Sequence, residues 1–158
     1  MRIFLVCICV LMLNSCEYFN VKKTSPEAIL NEELQTFNWN DVDEYPNFSE
    51  CDSISIKEDR KICFQSVLTL HIWEFLKNEK LVVSQDINDT IMLSFQLSEN
   101  GDLNLVNTKV DSLTLQEIPE INKLLYMSLD SLPKIYPAIK RGQQVKTEFR
   151  LPIIIHVN

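Results

Sequence analysis

Cysteine is the side chain with the widest chemistry in this sequence, and its five copies stand in three settings. Cys7 and Cys9 lie inside an uninterrupted apolar run. Cys16 follows that run, after Leu13, Asn14 and the small Ser15, and Cys51 and Cys63 stand in the polar body of the chain. A thiol can be acylated, oxidised to a disulfide or bound to a metal, and its surroundings decide which. The rest of the inventory is sparse: His71 and His156 are the only histidines, Gly101 and Gly142 the only glycines. No phosphate-cradling loop and no nucleophile elbow of the G-x-S-x-G kind can be drawn from them. His71 falls in an apolar helical stripe, where a neutral, hydrogen-bonded core role is expected. Asp41, Asp43 and Glu44 cluster on a proline-containing segment. They could chelate a cation, but an acidic surface loop accounts for them. The expectation is therefore a protein with no catalytic residues, no cofactor and no resident metal.

The run before Cys16 sets its chemistry. Arg2 gives a positive start, and residues 3–13 are eleven consecutive apolar residues, a length within the ~7–15 residues of an export signal's core. A membrane-spanning helix needs about 20. Leu13, Ser15 and Cys16 resemble the lipobox of bacterial lipoproteins, although Asn14 stands where a smaller apolar residue is usual. The resemblance implies a signal peptide over residues 1–15, cleavage before Cys16, and diacylglycerol and palmitate-type chains on its thiol. The other reading is a plain secretory signal with Cys16 unmodified. Both readings put the mature chain outside the cytoplasm. Only Glu17 follows as an acid, so a periplasm-facing tether is expected.

Export leaves Cys51 and Cys63 as the remaining thiols, and an even remainder in an oxidising compartment suggests one disulfide. It would stabilise the fold by roughly 3 kcal/mol, mainly by restricting the unfolded chain. A metal pair is the alternative, but zinc wants four close donors and only His71 is near. Charge narrows the partners. Removing residues 1–15 takes away Arg2 and no acid, so 143 residues carry 14 basic and 22 acidic side chains, a net charge of −8. That sign repels phosphate backbones and anionic lipid surfaces, so nucleic acid is excluded as a partner. Membrane attachment would come through lipid at Cys16, each buried methylene being worth ~0.8 kcal/mol.

The elements follow from period and punctuation. Thr24 and Glu27 have capping-box spacing around Pro26, predicting a short helix to about Phe37 with Leu30, Leu34 and Phe37 on one stripe. Residues 38–52 then read as an irregular acidic connector pinned by Cys51. A longer helix is predicted from about Glu58 to Asn78, with Phe64, Val67, Leu68, His71 and Phe75 on its apolar face. Trp73 points the other way, either covering the first helix or Trp39, or waiting for a partner. Strict alternation of Ile91, Leu93, Phe95 and Leu97, then residues 103–110, predicts a hairpin turned at Asn100-Gly101. A second core helix is expected from about Pro119 to Leu132, with Ile121, Leu124, Leu125 and Leu129 inward. After a turn at Gly142 comes a strand with Val145, Thr147, Phe149, Leu151, Ile153 and Ile155 inward. Pro152 cannot donate to a ladder, so that strand should lie at a sheet edge. Blunting the edge against aggregation and docking a partner are both roles it fits.

The stretch "FQLSENGDLNLVNTKV", a helix, and "LPKIYPAIKRGQQVKTEFRLPIIIHV" resemble the C-terminal domain of the TonB family of energy transducers. "EYPNFSEC" followed by "ICF" is similar to the cysteine-phenylalanine pattern of one branch of that family and supports joining Cys51 to Cys63. The resemblance covers about residues 44–158, behind a tether, short helix and connector over residues 16–43. It implies an α+β fold of two helices on a three-stranded antiparallel sheet, here with an extra N-terminal helix. It also implies a binding mode, in which an extended receptor segment is added beside the last strand. On this chain that strand segment is Val145, Lys146, Thr147, Glu148, Phe149, Arg150 and Leu151.

The departures limit what is carried over. The uncleaved N-terminal helix and long Pro-rich spacer of TonB have no counterpart, and "VVSQDINDT" lacks the usual glycine before the first strand. Energy transduction is therefore not implied. The expected function is a lipid-anchored, periplasm-facing binding module in the cell envelope of a two-membrane bacterium. Its expected partner is a TonB-dependent receptor or another envelope protein. The alternative is a structural or inhibitory envelope lipoprotein with the same fold and no receptor docking.

Overall fold

In the computed structural model, residues 37–38 and 41–157 are described, and all of them belong to the unit Glu33–Asn158. The predicted signal, Cys16, and all but the last residue of the first helix lie outside them. That last residue, Phe37, is in a strand: β1 is Phe37–Asn38. The remaining elements in chain order are β2 (Asn47–Phe48), a 3-10 turn (Ser49–Cys51), α1 (Lys57–Asn78), β3 (Ile87–Leu97), β4 (Leu103–Lys109), α2 (Ser112–Glu117), α3 (Ile121–Met127), β5 (Ile135–Tyr136), β6 (Ala138–Lys140), β7 (Gln143–Val145) and β8 (Thr147–Val157). Among the described residues this is a mixed α+β fold of three helices and antiparallel sheets, where the resemblance implied two helices besides the N-terminal one.

The main sheet has the order β1-β8-β3-β4. β3 and β8 pair antiparallel over their whole length, from Ile87↔Val157 to Leu97↔Thr147, and both turn their odd-numbered residues inward, all buried except the half-buried Asp89 and Val157. The alternation read from the sequence is thus one face of a continuous ladder. β4 completes the hairpin on the far side of β3, with a bulge at Ser94/Phe95 that leaves Val106 out of register. α1 lies on the inward face. Its acids Glu58 and Asp59 sit in the first turn and Lys77 in the last, as the helix dipole favours. Its buried row is Phe64, Leu68, Ile72 and Leu76, with Val67 and Phe75 packed at the margin. The row is displaced by about one residue from the predicted stripe, which leaves His71 half-buried at the flank, 3.3 Å from the Ser131 hydroxyl.

Aromatic contacts join the layers. Phe48 stacks on Phe64 at 5.0 Å, Phe64 meets Phe149 edge-on at 5.7 Å, and Phe149 lies 5.3 Å from Phe95. Beside this cluster Cys51 and Cys63 are joined in a disulfide, which fixes the 3-10 turn to α1.

Two departures from the predicted elements have local causes. The second helix is split. Asp111 accepts from the Leu113 N–H at 2.8 Å and opens α2 early. Pro119 then ends it, because proline excludes its predecessor from the helical region, and Ile118 stands at φ −127, ψ 75. Gly142 turns a hairpin of its own, β6 to β7, with Arg141 (φ 52) and Gly142 (φ 76) both left-handed. This pair forms the two-residue loop whose twist suits a hairpin. Val145 therefore belongs to β7 and is only half-buried.

At Asn100-Gly101 only Gly101 is left-handed, at φ 91. Ser98 bonds Asp102 across the loop at 2.9 Å, and the Gly101 N–H returns to the Ser98 carbonyl at 3.1 Å. This is a three-residue connection ending in a left-handed position rather than a two-residue turn. A Cβ on Gly101 would stand 2.2 Å from the Ile135 carbonyl oxygen, whereas one on Gly142 would meet nothing within 4 Å. Gly101→Ala should therefore cost at least about 2 kcal/mol and Gly142→Ala only about 1. Urea midpoints at unchanged m-value measure both, and equal losses would contradict the close approach at Ile135.

Candidate functional site

The seven residues singled out at the last strand do not form one surface. Val145 closes β7 opposite Ala138, and half-buried Lys146 links β7 to β8. Thr147, Phe149 and Leu151 point into the core, at 0%, 6% and 3% exposure. The Thr147 hydroxyl is buried with no hydrogen-bond partner among the described residues. Glu148 and Arg150 alternate onto the opposite, solvent-facing side of the sheet. There Glu148 accepts a 2.8 Å hydrogen bond from Gln96 Nε2.

What β8 offers is its backbone edge. On one side it is fully paired with β3; on the other, among the described residues, β1 runs parallel to it at Phe37↔Thr147 and Asn38↔Glu148. From Phe149 to Val157 no strand lies beside that edge among the described residues. In an antiparallel ladder each residue turns its N–H and C=O together toward the partner or away from it, in alternation. Pro152 lies in unbroken register with Met92 and has no N–H, so it belongs to the set facing away. Arg150, Ile154 and His156 share that direction by the period of two. The edge thus presents three donors with a gap at the proline.

Beside the far half of this edge opens a cleft of about 220 Å³, lined by Trp73, Leu76, Lys77, Glu79 and Leu81 together with residues 154–157 of β8. Trp73 is 46% exposed and carries the Lys77 ammonium 4.9 Å above its ring. It also closes a shallow groove along α1 with Ile62 and Leu70, which are themselves exposed. The sequence signal for this place was Trp73 together with the unbroken run Ile153-Ile154-Ile155. That run breaks strict alternation and puts Ile154, 68% exposed, on the solvent side. The cleft itself was not foreseen, because Leu76 and Leu81 meet Ile155 and Val157 only through the fold.

The other chemistry-bearing groups are engaged elsewhere. Asp41 is paired with Lys140, whose hydrogen bond holds the carboxyl below the usual carboxylate range. Asp43 accepts from the Arg141 N–H at 2.5 Å, and Glu44 lies 3.7 Å from Arg60. Asp41 and Asp43 stitch the connector to the β6–β7 hairpin and Glu44 reaches toward α1, and no cluster of three metal-ligating side chains occurs among the described residues. No helix among them is long and apolar enough to cross a membrane. No family model, curated protein or solved structure matches this chain.

The division of β8 into core and surface residues is measurable. Phe149→Ala should cost about 3–5 kcal/mol, while Arg150→Glu should stay within about 0.5 kcal/mol. Urea denaturation of the two variants checks this; comparable losses would mean that Arg150 is not a solvent-facing residue.

Proposed function

We propose that this chain is an exported, lipid-anchored binding module that takes an extended segment of another envelope protein on the free edge of β8. This is the binding mode of the TonB C-terminal domain family, which the sequence resembles and whose arrangement of helices over a three-stranded antiparallel sheet is adopted as the finer reading of the fold. The observation that carries the proposal is the outer edge of β8 beyond Glu148, which no strand among the described residues covers, while the other edge of β8 is fully paired with β3. An unpaired row of N–H and C=O groups is a template for one more strand, and main-chain bonds of that kind supply affinity without a deep pocket. Phe37–Asn38 lends support, since this edge already accepts an extended segment at its near end. The reading involves neither catalysis nor a cofactor.

Fluorescence anisotropy with labelled peptides from receptor plug segments tests the docking. Peptides N-methylated at successive positions should lose binding at alternate residues, about fivefold or more for each lost main-chain bond, and keep it at the residues between. Loss without that alternation, or no binding of any plug peptide, would refute strand addition. Phe149→Pro is unsuitable for this purpose, because Phe149 belongs to the core.

The anchor is tested separately. Metabolic labelling with palmitate should mark the wild-type chain, and Cys16→Ser should abolish the label and release the protein from membranes. Membrane retention of a cleaved Cys16→Ser chain would show that lipid at Cys16 is not what holds it.

A further inference from the structure

The free edge of β8 is not uniform, and its two halves differ in what they can hold. At the near half, β1 stands beside Thr147 and Glu148, and Pro152 contributes no donor. Arg150 is left as a single outward donor between an occupied position and a gap. At the far half, Ile154 and His156 follow one another as outward residues with both N–H and C=O available. A strand laid there can make consecutive pairs of bonds, which one laid across Pro152 cannot.

The side chains agree with the backbone. A strand added beside β8 continues the sheet, so the residue of the new strand opposite Ile155 turns toward the α1 side, as Ile155 does. In that direction lies the cleft between Trp73, Leu76 and Val157. Its volume of about 220 Å³ exceeds the roughly 150 Å³ of an apolar cavity that accepts benzene. The exposed indole of Trp73 provides a flat wall, and aromatic pairs favour offset or edge-on contact with such a wall.

Resting on the edge-docking reading above, we infer that the segment recognised is short, that it pairs with Ile153 to Val157, and that it carries one large apolar side chain, best an aromatic, seated in the Trp73 cleft. Selectivity then resides in that one side chain. The residues flanking it alternate outward over Ile154 and tolerate change. The near half of β8, where sequence resemblance placed the contact, contributes little beyond Arg150.

The test uses amide NMR spectra of the full-length chain carrying Cys16→Ser, titrated with the heptapeptide Thr-Val-Thr-Phe-Thr-Val-Thr blocked at both ends. The amides of Ile154 and His156 and the indole N–H of Trp73 should shift together, with Arg150 moving less. Replacing the central Phe by Ala should weaken binding about tenfold, and Ile154→Pro should remove it while Arg150→Pro changes it less than about twofold. Shifts centred on Arg150, with the Trp73 indole unmoved or with Phe and Ala peptides binding equally, would overturn the far-half assignment and leave edge docking standing. No shift along β8 at all would overturn both.

Discussion

The pairing of β3 with β8 is the constraint from which the rest of the structure follows. It joins eleven residues of each strand without a register shift, across nearly the whole of the intervening chain. Both strands alternate with a period of two, so a slip of β8 by one residue would carry Phe149 and Leu151 to the solvent face while Leu93 and Phe95 stayed inward. The burial of those side chains against Phe64, Leu68 and Ile72 of α1 therefore fixes the register more firmly than any hairpin turn does. The same pairing assigns β8 its place. With β3 on one side and β4 beyond it, β8 becomes the margin of the sheet, and the free edge is a consequence of how the core is closed.

A second set of interactions decides how much of that margin stays free. The disulfide between Cys51 and Cys63 and the stacking of Phe48 on Phe64 tie the connector to α1. The connector is then held to the β6–β7 hairpin, where Asp43 and Glu44 donate their N–H groups to the Ile139 carbonyl at 2.8 and 3.0 Å. At the near end of β8, Phe37 and Asn38 of β1 pair with Thr147 and Glu148. A loop closed by a disulfide at a sequence separation of 12 costs little entropy to order once the bond exists. The connector can thus be irregular, acidic and nevertheless fixed.

Most of what could be read in advance was local. Alternation through Ile91, Leu93, Phe95 and Leu97 announced β3, Gly142 announced a turn, and the row around Phe64 and Leu68 announced α1. The misreadings came where tertiary contact overrides or adds to local signal. Val145 looks like the first inward residue of the last strand, yet a left-handed Arg141 places it in a separate hairpin. Asn100-Gly101 suits a two-residue turn, but the Ser98 hydroxyl accepts the N–H groups of Asn100 and Asp102 and widens the loop. The two-residue strands β1, β2 and β5 have no period of their own and exist only because a partner lies beside them. The cleft at Trp73 is of the same kind, since its walls come from the end of α1, the following loop and the end of β8. Of the site, the sequence made legible the edge and its proline, but not which half of the edge was usable.

The distribution of protective residues along β8 bears on that last point. Natural sheets blunt an exposed edge with charge, proline or a covering segment, and the near half of β8 has all three in Glu148 and Arg150, Pro152, and β1. Among the described residues the far half has none of them on its outward positions, which are Ile154, apolar and largely exposed, and His156. An edge protected along its whole length would be explained by solubility alone. Protection that stops at Pro152, just where the backbone recovers its donors and the Trp73 cleft begins, separates the two roles of the strand. On the docking proposal, the proline and charges would keep the near half from pairing indiscriminately and would confine an added strand to the stretch where a side chain can be examined as well as a backbone.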